Sequence, residues 1–169
     1  MLALKRLLLV ALLAAAGAAA GVALHTALTP GDTMFAGKRP QNLGHGTGRL
    51  APCKTSPNCV SSQADPSDKE HYVEPIVIKG NAAGDVMAAV RKSVESMPRT
   101  TVVRVEAGYL YAEFQSKLMG FVDDVEFLAD PAKGVVHVRS ASRLGRRDFG
   151  VNRQRIEALR AILEKRIAT

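Results

Sequence analysis

Four short runs in the second half of the chain alternate apolar and polar residues with a period of two, and longer stretches with helical spacing flank them. Thr101 to Glu106 and Tyr109 to Ser116 meet across Ala107-Gly108, a two-residue hairpin signal. Phe121 to Leu128 and Val135 to Arg143 form a second hairpin around Asp130, Pro131 and Gly134. An earlier run, His71 to Lys79, reads as a strand whose Pro75 marks an edge or an irregular entry. Asn81 is placed to cap a helix from Ala82 to about Met97, with Val86, Val90, Val94 and Met97 on one side and Pro98 as its stop. A last helix from about Gly150 to Ile167 presents Ile156, Leu159, Leu163 and Ile167. The order β-α-β-β-β-β-α predicts an α+β fold: a five-stranded antiparallel sheet with both helices on one face, because each helix has a single apolar stripe to bury. This order also looks like the helix-grip and TATA-binding-protein-like arrangements, a likeness that fixes no function.

Register follows from the turns. With Ala107-Gly108 at the tip, Val105 faces Leu110 and Val103 faces Ala112 on the covered side, while Arg104 faces Tyr111 and Val102 faces Glu113 outside. In the second hairpin Val125 and Phe127 point inward with Val136 and Val138, and Asp123 is set opposite Ser140. Asp124 then meets Arg139 and Glu126 meets His137 on the exposed side, as ordinary cross-strand pairs. Asp123 continues an apolar stripe, so its carboxylate is turned toward the helices and needs partners. The expected network is Asp123, Ser140, Ser142, Arg143, Asp148, Asn152 and Arg153, with Asp148 near the start of the final helix, where free backbone N–H groups accept a carboxylate. Such a network either latches the last helix to the sheet or, through Arg143, Arg153 and the helix start, forms an anion pocket. A third reading makes it the site of a small hydrolase or isomerase using Asp123 with Arg143 or Arg153. Against chemistry stands the lack of a base beside Ser140 and Ser142, since His137 points the other way, and Asp123 and Asp124 diverge as strand neighbours.

The N-terminal third differs in composition. Lys5 and Arg6 precede an unbroken apolar run from Leu7 to Leu24, the pattern of an export signal or, at about eighteen residues, of a short hydrophobic helix kept as an anchor. Residues 1–25 are therefore a signal peptide or membrane anchor, and the positive start places the remainder outside the cytoplasmic membrane or in the periplasm. Residues 26–52, rich in Gly and Pro, read as a flexible tether, and residues 53–169 as one α+β domain. Cys53 and Cys59 enclose a small proline-containing loop that reads as a disulfide in an oxidising compartment, with free thiols or redox or metal chemistry as the alternatives. No cofactor or metal ligand spacing is visible.

The net charge of +7 is spread over leader, tether and final helix, and the chain has no Trp, which argues against nucleic acid and for anionic lipid headgroups or an acidic envelope partner. In and before the last helix Arg146, Arg147, Arg155, Arg160, Lys165 and Arg166 outnumber Glu157 and Glu164, either as a solvated face or as attraction to a bilayer. The turn Lys117 to Phe121 carries Leu118, Met119 and Phe121, which either pack under the sheet or meet a membrane or partner.

Two stretches, CKTSPNCVSSQ from Cys53 to Gln63 and FVDDVEFLADPAKGVVHVRSASRLGRRDFGVNRQRIEALR from Phe121 to Arg160, closely resemble the bacterial and plastid family catalogued as domain of unknown function 1499. The resemblance covers roughly residues 51 to 163. It implies no activity. The function expected from the residues is therefore an exported or membrane-tethered envelope protein whose domain binds an apolar or anionic ligand, or a protein partner, without chemistry.

Overall fold

The computed structural model describes residues 34–46, 48–78 and 83–167. The expected leader, the helix cap Asn81 and the side chain of Ile167 lie outside them. Among the described residues no helix is long and apolar enough to cross a membrane.

The chain is an α+β domain with elements β1 (Cys59–Ser61), β2 (Ile76–Val77), α1 (Ala83–Glu95), β3 (Thr100–Glu106), β4 (Tyr109–Gln115), β5 (Val122–Asp130), β6 (Val135–Ser142) and α2 (Val151–Ile167). The sheet runs β1-β6-β5-β4-β3, and β2 also pairs with β6, so among the described residues it has six strands where five were expected. The first expected strand is the one corrected. Its N-terminal half turns over Asp68, whose carbonyl accepts the N–H groups of His71 and Tyr72, and Pro75 has no N–H to offer. Only Ile76 and Val77 are left to pair with Val136 and Val135, and the far half of the β6 edge is taken by Cys59–Ser61 against Ala141–Arg139. Cys53 and Cys59 form the expected disulfide, which joins β1 to the chain before it.

The inner face buries one core. Leu110, Val125, Phe127, Val136 and Val138 of the sheet meet Val86, Val90 and Val94 of α1 and Ile156, Leu159 and Leu163 of α2. Each fully buried aliphatic or aromatic side chain stabilises the fold by about 1.5–3 kcal/mol, so this stripe-to-sheet contact is what selects the helix positions.

Register differs from expectation in both hairpins. In the first, Gly108 takes the left-handed conformation (φ 76) that a two-residue turn requires. A bulge at Val103 then pairs Val102 with Ala112 and Thr101 with Glu113. Val102 thereby joins the core while Val103 turns to the other face, and Val105 is half exposed. In the second, pairing moves by two residues: Asp123 faces Ser142, Val125 faces Ser140, Asp124 faces Ala141 and Glu126 faces Arg139. Because the shift is even, every side chain keeps its expected face.

The outer face is not exposed. From Met34 the segment expected to be a tether lies across it: Leu50 is buried with Tyr109, Tyr111 and Leu128, Leu43 packs against them, and Leu50 donates its N–H to Gln63 Oε1 at 2.8 Å. We call residues 34–52 the strap. Its Gly44, at φ 120, sends its N–H to Glu126 Oε1, and a Cβ there would lie 2.7 Å from the Arg104 guanidinium.

Candidate functional site

Beneath the strap the outward positions of β4, β5 and β6 form a buried charged layer. Alternation aligns Tyr109, Tyr111 and Glu113 with Asp124, Glu126 and Leu128 and with His137 and Arg139. Arg143, one residue past β6, continues that row. Its guanidinium binds both Asp124 oxygens, with Nη2 at 2.7 Å, and also pairs with Glu113 and the Tyr111 hydroxyl. The Tyr111 hydroxyl lies 2.6 Å from Asp124 and 2.8 Å from Glu113. Arg39 of the strap completes Glu113 at 2.7 Å and lies over the Tyr111 ring. Alongside, Glu126, with no exposed surface, accepts from Tyr109, from Gly44 and from Arg139. Burial pushes the Glu113 carboxyl up, but hydrogen bonds from Arg39, Tyr111 and Arg143 outweigh it and hold the group below the ordinary carboxylate range. Both tyrosine hydroxyls are raised, by burial first and then by their carboxylate neighbours, so they stay protonated and can donate to those carboxylates.

A cavity of about 500 Å³ opens at the edge of this layer, between strap and disulfide loop, lined by Lys38, Arg39, Lys54, Arg139 and Arg143 with Asp124. Arg39, Arg139 and Arg143 are matched by Glu113, Asp124 and Glu126. Lys38 and Lys54 are exposed cations with no ion pair among the described residues, leaving the rim positive. Arg139 is 7% exposed, and its Nε is buried without a hydrogen-bond partner. An unsatisfied guanidinium N–H costs stability unless something accepts it. A somewhat larger cavity of about 570 Å³ beside His71 balances Arg49 and Lys54 with Asp65, Asp68 and Glu70, and has no buried unpaired donor.

The network expected on the inner face is assembled only in part. Asp123 does face the helices, but its partner is Arg155 at 2.5 Å, not Arg143 or Arg153. Ser140 donates to Asn152 Oδ1 at 2.5 Å, and Asn152 Nδ2 donates to Ser142 Oγ, Asp148 and the Asn58 carbonyl. Asp148 accepts the Gly150 and Asn152 N–H groups at the start of α2, as an N-terminal carboxylate should. Arg155 also donates to Ser140 and Asn152 and lies over Phe114. Every strong donor is taken, so these contacts tie α2, β5, β6 and the residue before β1 together. Arg153 instead reaches the Lys69 and Glu70 carbonyls at the surface, and Arg143 is on the opposite face of the sheet. The pairing of Asp123 with Arg143 or Arg153, on which the hydrolase or isomerase reading rested, is therefore not formed.

A profile described as "Protein of unknown function (DUF1499)" matches residues 49–163. The chain belongs to this family. No curated protein matches the sequence. The DUF1499 match takes in β1 to β6, α1 and α2 as far as Leu163, the disulfide and the carboxylates Glu113, Asp124 and Glu126, but begins after Lys38 and Arg39. The charged layer of this DUF1499 chain is thus a family domain completed by Arg39 and Gly44, from the part of the strap that precedes the match.

Sequence reasoning missed Ser62. Its hydroxyl accepts the Val138 N–H at 2.9 Å and lies 3.2 Å from His137 Nδ1, while His137 Nε2 is 3.5 Å from Asp130. Ser, His and Asp in a row invite a nucleophile reading, but this hydroxyl replaces a ladder acceptor in the sheet, is buried, and lines neither cavity above. Burial chiefly depresses the His137 pKa below 6.5, with Asp130 opposing. For His71 burial also lowers it, but Asp68 and the Ser56 carbonyl raise it further, and the net shift is upward. The two act on opposite sides of pH 6.5. An unfolded His137 binds more protons than a folded one, so stability falls as pH drops below 6.5. The His71 contribution is whole below 6.5 and fades as pH rises through its raised value. Urea denaturation across the range should show His137→Asn removing the acid-side loss and His71→Asn the alkaline-side loss. Identical pH profiles for both variants would contradict this.

Proposed function

We propose that the chain is an exported protein, held at the periplasmic or outer side of the cytoplasmic membrane by its N-terminal segment, whose domain binds a small phosphate- or carboxylate-bearing anion without transforming it. The observation that carries this is the unpartnered Nε of buried Arg139 at a cavity where cations outnumber carboxylates. A planar guanidinium with one fork edge held by Glu126 and a second N–H free is suited to an oxyanion. Lys38 and Lys54 would add attraction at the rim. In our reading the sheet with its long final helix is of the helix-grip or TATA-binding-protein-like kind, but the ligand would lie on the face away from the helices.

The test is titration calorimetry and thermal shift of the full chain with inorganic phosphate and with short-chain phosphatidic acid. Binding of either should raise the melting temperature through mass action. Lys38→Ala with Lys54→Ala should weaken it about tenfold, while changing the ligand-free stability by no more than ~0.5 kcal/mol. Binding of the phosphatidic acid alone would assign a lipid headgroup, and equal binding a free anion. No heat and no shift with either probe at millimolar concentration would end this reading.

A further inference from the structure

One end of the domain collects large apolar side chains that nothing described covers. The β4–β5 turn carries Leu118, 93% exposed, and Met119; the β6–α2 connection carries Leu144 and Phe149, the latter 90% exposed. Strand pairing places these loops together, because Gln115 faces Val122 and Asp123 faces Ser142 at the same end of the sheet. Phe35, at the start of the strap, stacks on Phe121 with ring centroids 5.3 Å apart, so the strap enters at this end too. Phe149 is held outward by its backbone. It is one of two non-glycine residues with positive φ (55) among the described residues, and Asp148, just before it, holds the turn by accepting the Gly150 and Asn152 N–H groups that follow. A bulky aromatic in the left-handed region, turned into water, is disfavoured twice. Around it stand Lys117, Arg146 and Arg147, all exposed.

The chain itself points to what covers this end. The apolar run ends at Leu24, and about nine residues, 25–33, connect it to Met34; fully extended they reach at most ~32 Å. A membrane segment there keeps the strap's entry, and with it the apolar end, close to the bilayer. Basic side chains around exposed Leu, Met and Phe match an anionic lipid surface, where apolar tips enter the headgroup boundary and cations meet phosphates.

We propose that the β4–β5 turn and the β6–α2 connection form a bilayer-docking tip, with Leu118, Met119 and Phe149 inserted into an anionic lipid surface and Lys117, Arg146 and Arg147 at its headgroups. This rests on the reading of Leu7 to Leu24 as a membrane segment, and not on anion binding in the cavity. The absence of Trp from the chain supplies a clean reporter. Full-length Phe149→Trp and Val77→Trp are reconstituted separately into phosphatidylcholine–phosphatidylglycerol vesicles carrying brominated acyl chains, and flotation is scored alongside emission. Val77 is exposed and pairs with Val135 at the other end of β6, some seven residues and ~23 Å from the tip. The expected result is blue-shifted emission at 149, quenched at least about twofold by the bromolipid, with position 77 unquenched and solvent-like. A chain that floats with unquenched emission at 149 overturns the docking tip and leaves the anchor. Blue-shifted but unquenched emission at 149 means a protein covers the end, and overturns it as well, as does equal quenching at 77 and 149. A chain that does not float overturns both anchor and tip.

Discussion

Arg143→Met is expected to be among the most destabilising single changes in the domain, costing about 3–5 kcal/mol and lowering the melting temperature by roughly 10–20 °C. Arg143 is the cation shared by two buried carboxylates, Glu113 and Asp124. Glu113 keeps Arg39 when Arg143 is gone, but Arg39 is itself half exposed and enters from the strap. Asp124, 1% exposed, is left with only the Tyr111 hydroxyl among the described residues. The cost is therefore that of an orphaned charge and not of one lost hydrogen bond. That argument has a consequence for the double variant: Asp124→Asn with Arg143→Met should recover more than half of the loss, since a neutral amide is far less costly to bury alone. Denaturation in urea decides between the two. A single variant within ~1 kcal/mol of the parent, or a double variant worse than the single, would show that the layer is not held by this pairing.

Asn152→Leu is the second large effect, with an expected loss of about 2–4 kcal/mol. The substitution keeps the branched outline of the side chain and removes the centre of the inner network: the acceptor for Ser140 and Arg155, and the donor to Ser142, Asp148 and the Asn58 carbonyl. Asn152 has no exposed surface, so water cannot replace these bonds. The Asn58 carbonyl keeps the Ser142 N–H, and Asp123 retains Arg155, which keeps the loss below that at Arg143. Arg153→Ala, in contrast, should change stability by no more than ~0.5 kcal/mol, because among the described residues Arg153 donates to surface carbonyls. Equal losses at 152 and 153 would restore the network expected from sequence and discard the observed one.

The inner and outer faces were not equally legible. Period-two alternation assigned Val125, Phe127, Val136, Val138 and Asp123 to the helix side correctly, and an even shift in pairing did not disturb them. The same alternation, carried one residue past Ser142, turns Arg143 to the opposite face. Grouping it with Ser142 by closeness to the helix start set that rule aside. Arg155 was read only as part of a basic surface, although three residues past Asn152 it shares that residue's side of α2, where it could be looked for. Ser62 and the pairing of Glu126 with Arg139 had no such signal. Their partners are distant in sequence, and a one-residue bulge or a two-residue shift relocates each of them.

Local sequence was enough for the antiparallel α+β plan, the two helices on one side, the disulfide and the inward carboxylate at 123, because periodicity, turn chemistry and a six-residue cysteine separation are short-range properties. Whether the polar side of the sheet faces water was a different kind of question. Glu113, Asp124 and Glu126 look like solvated strand residues in any local window, and residues 34–52 look like a linker. Only folding brings the two together, and charges that would be inexpensive in water become a paired, buried layer once the strap excludes it.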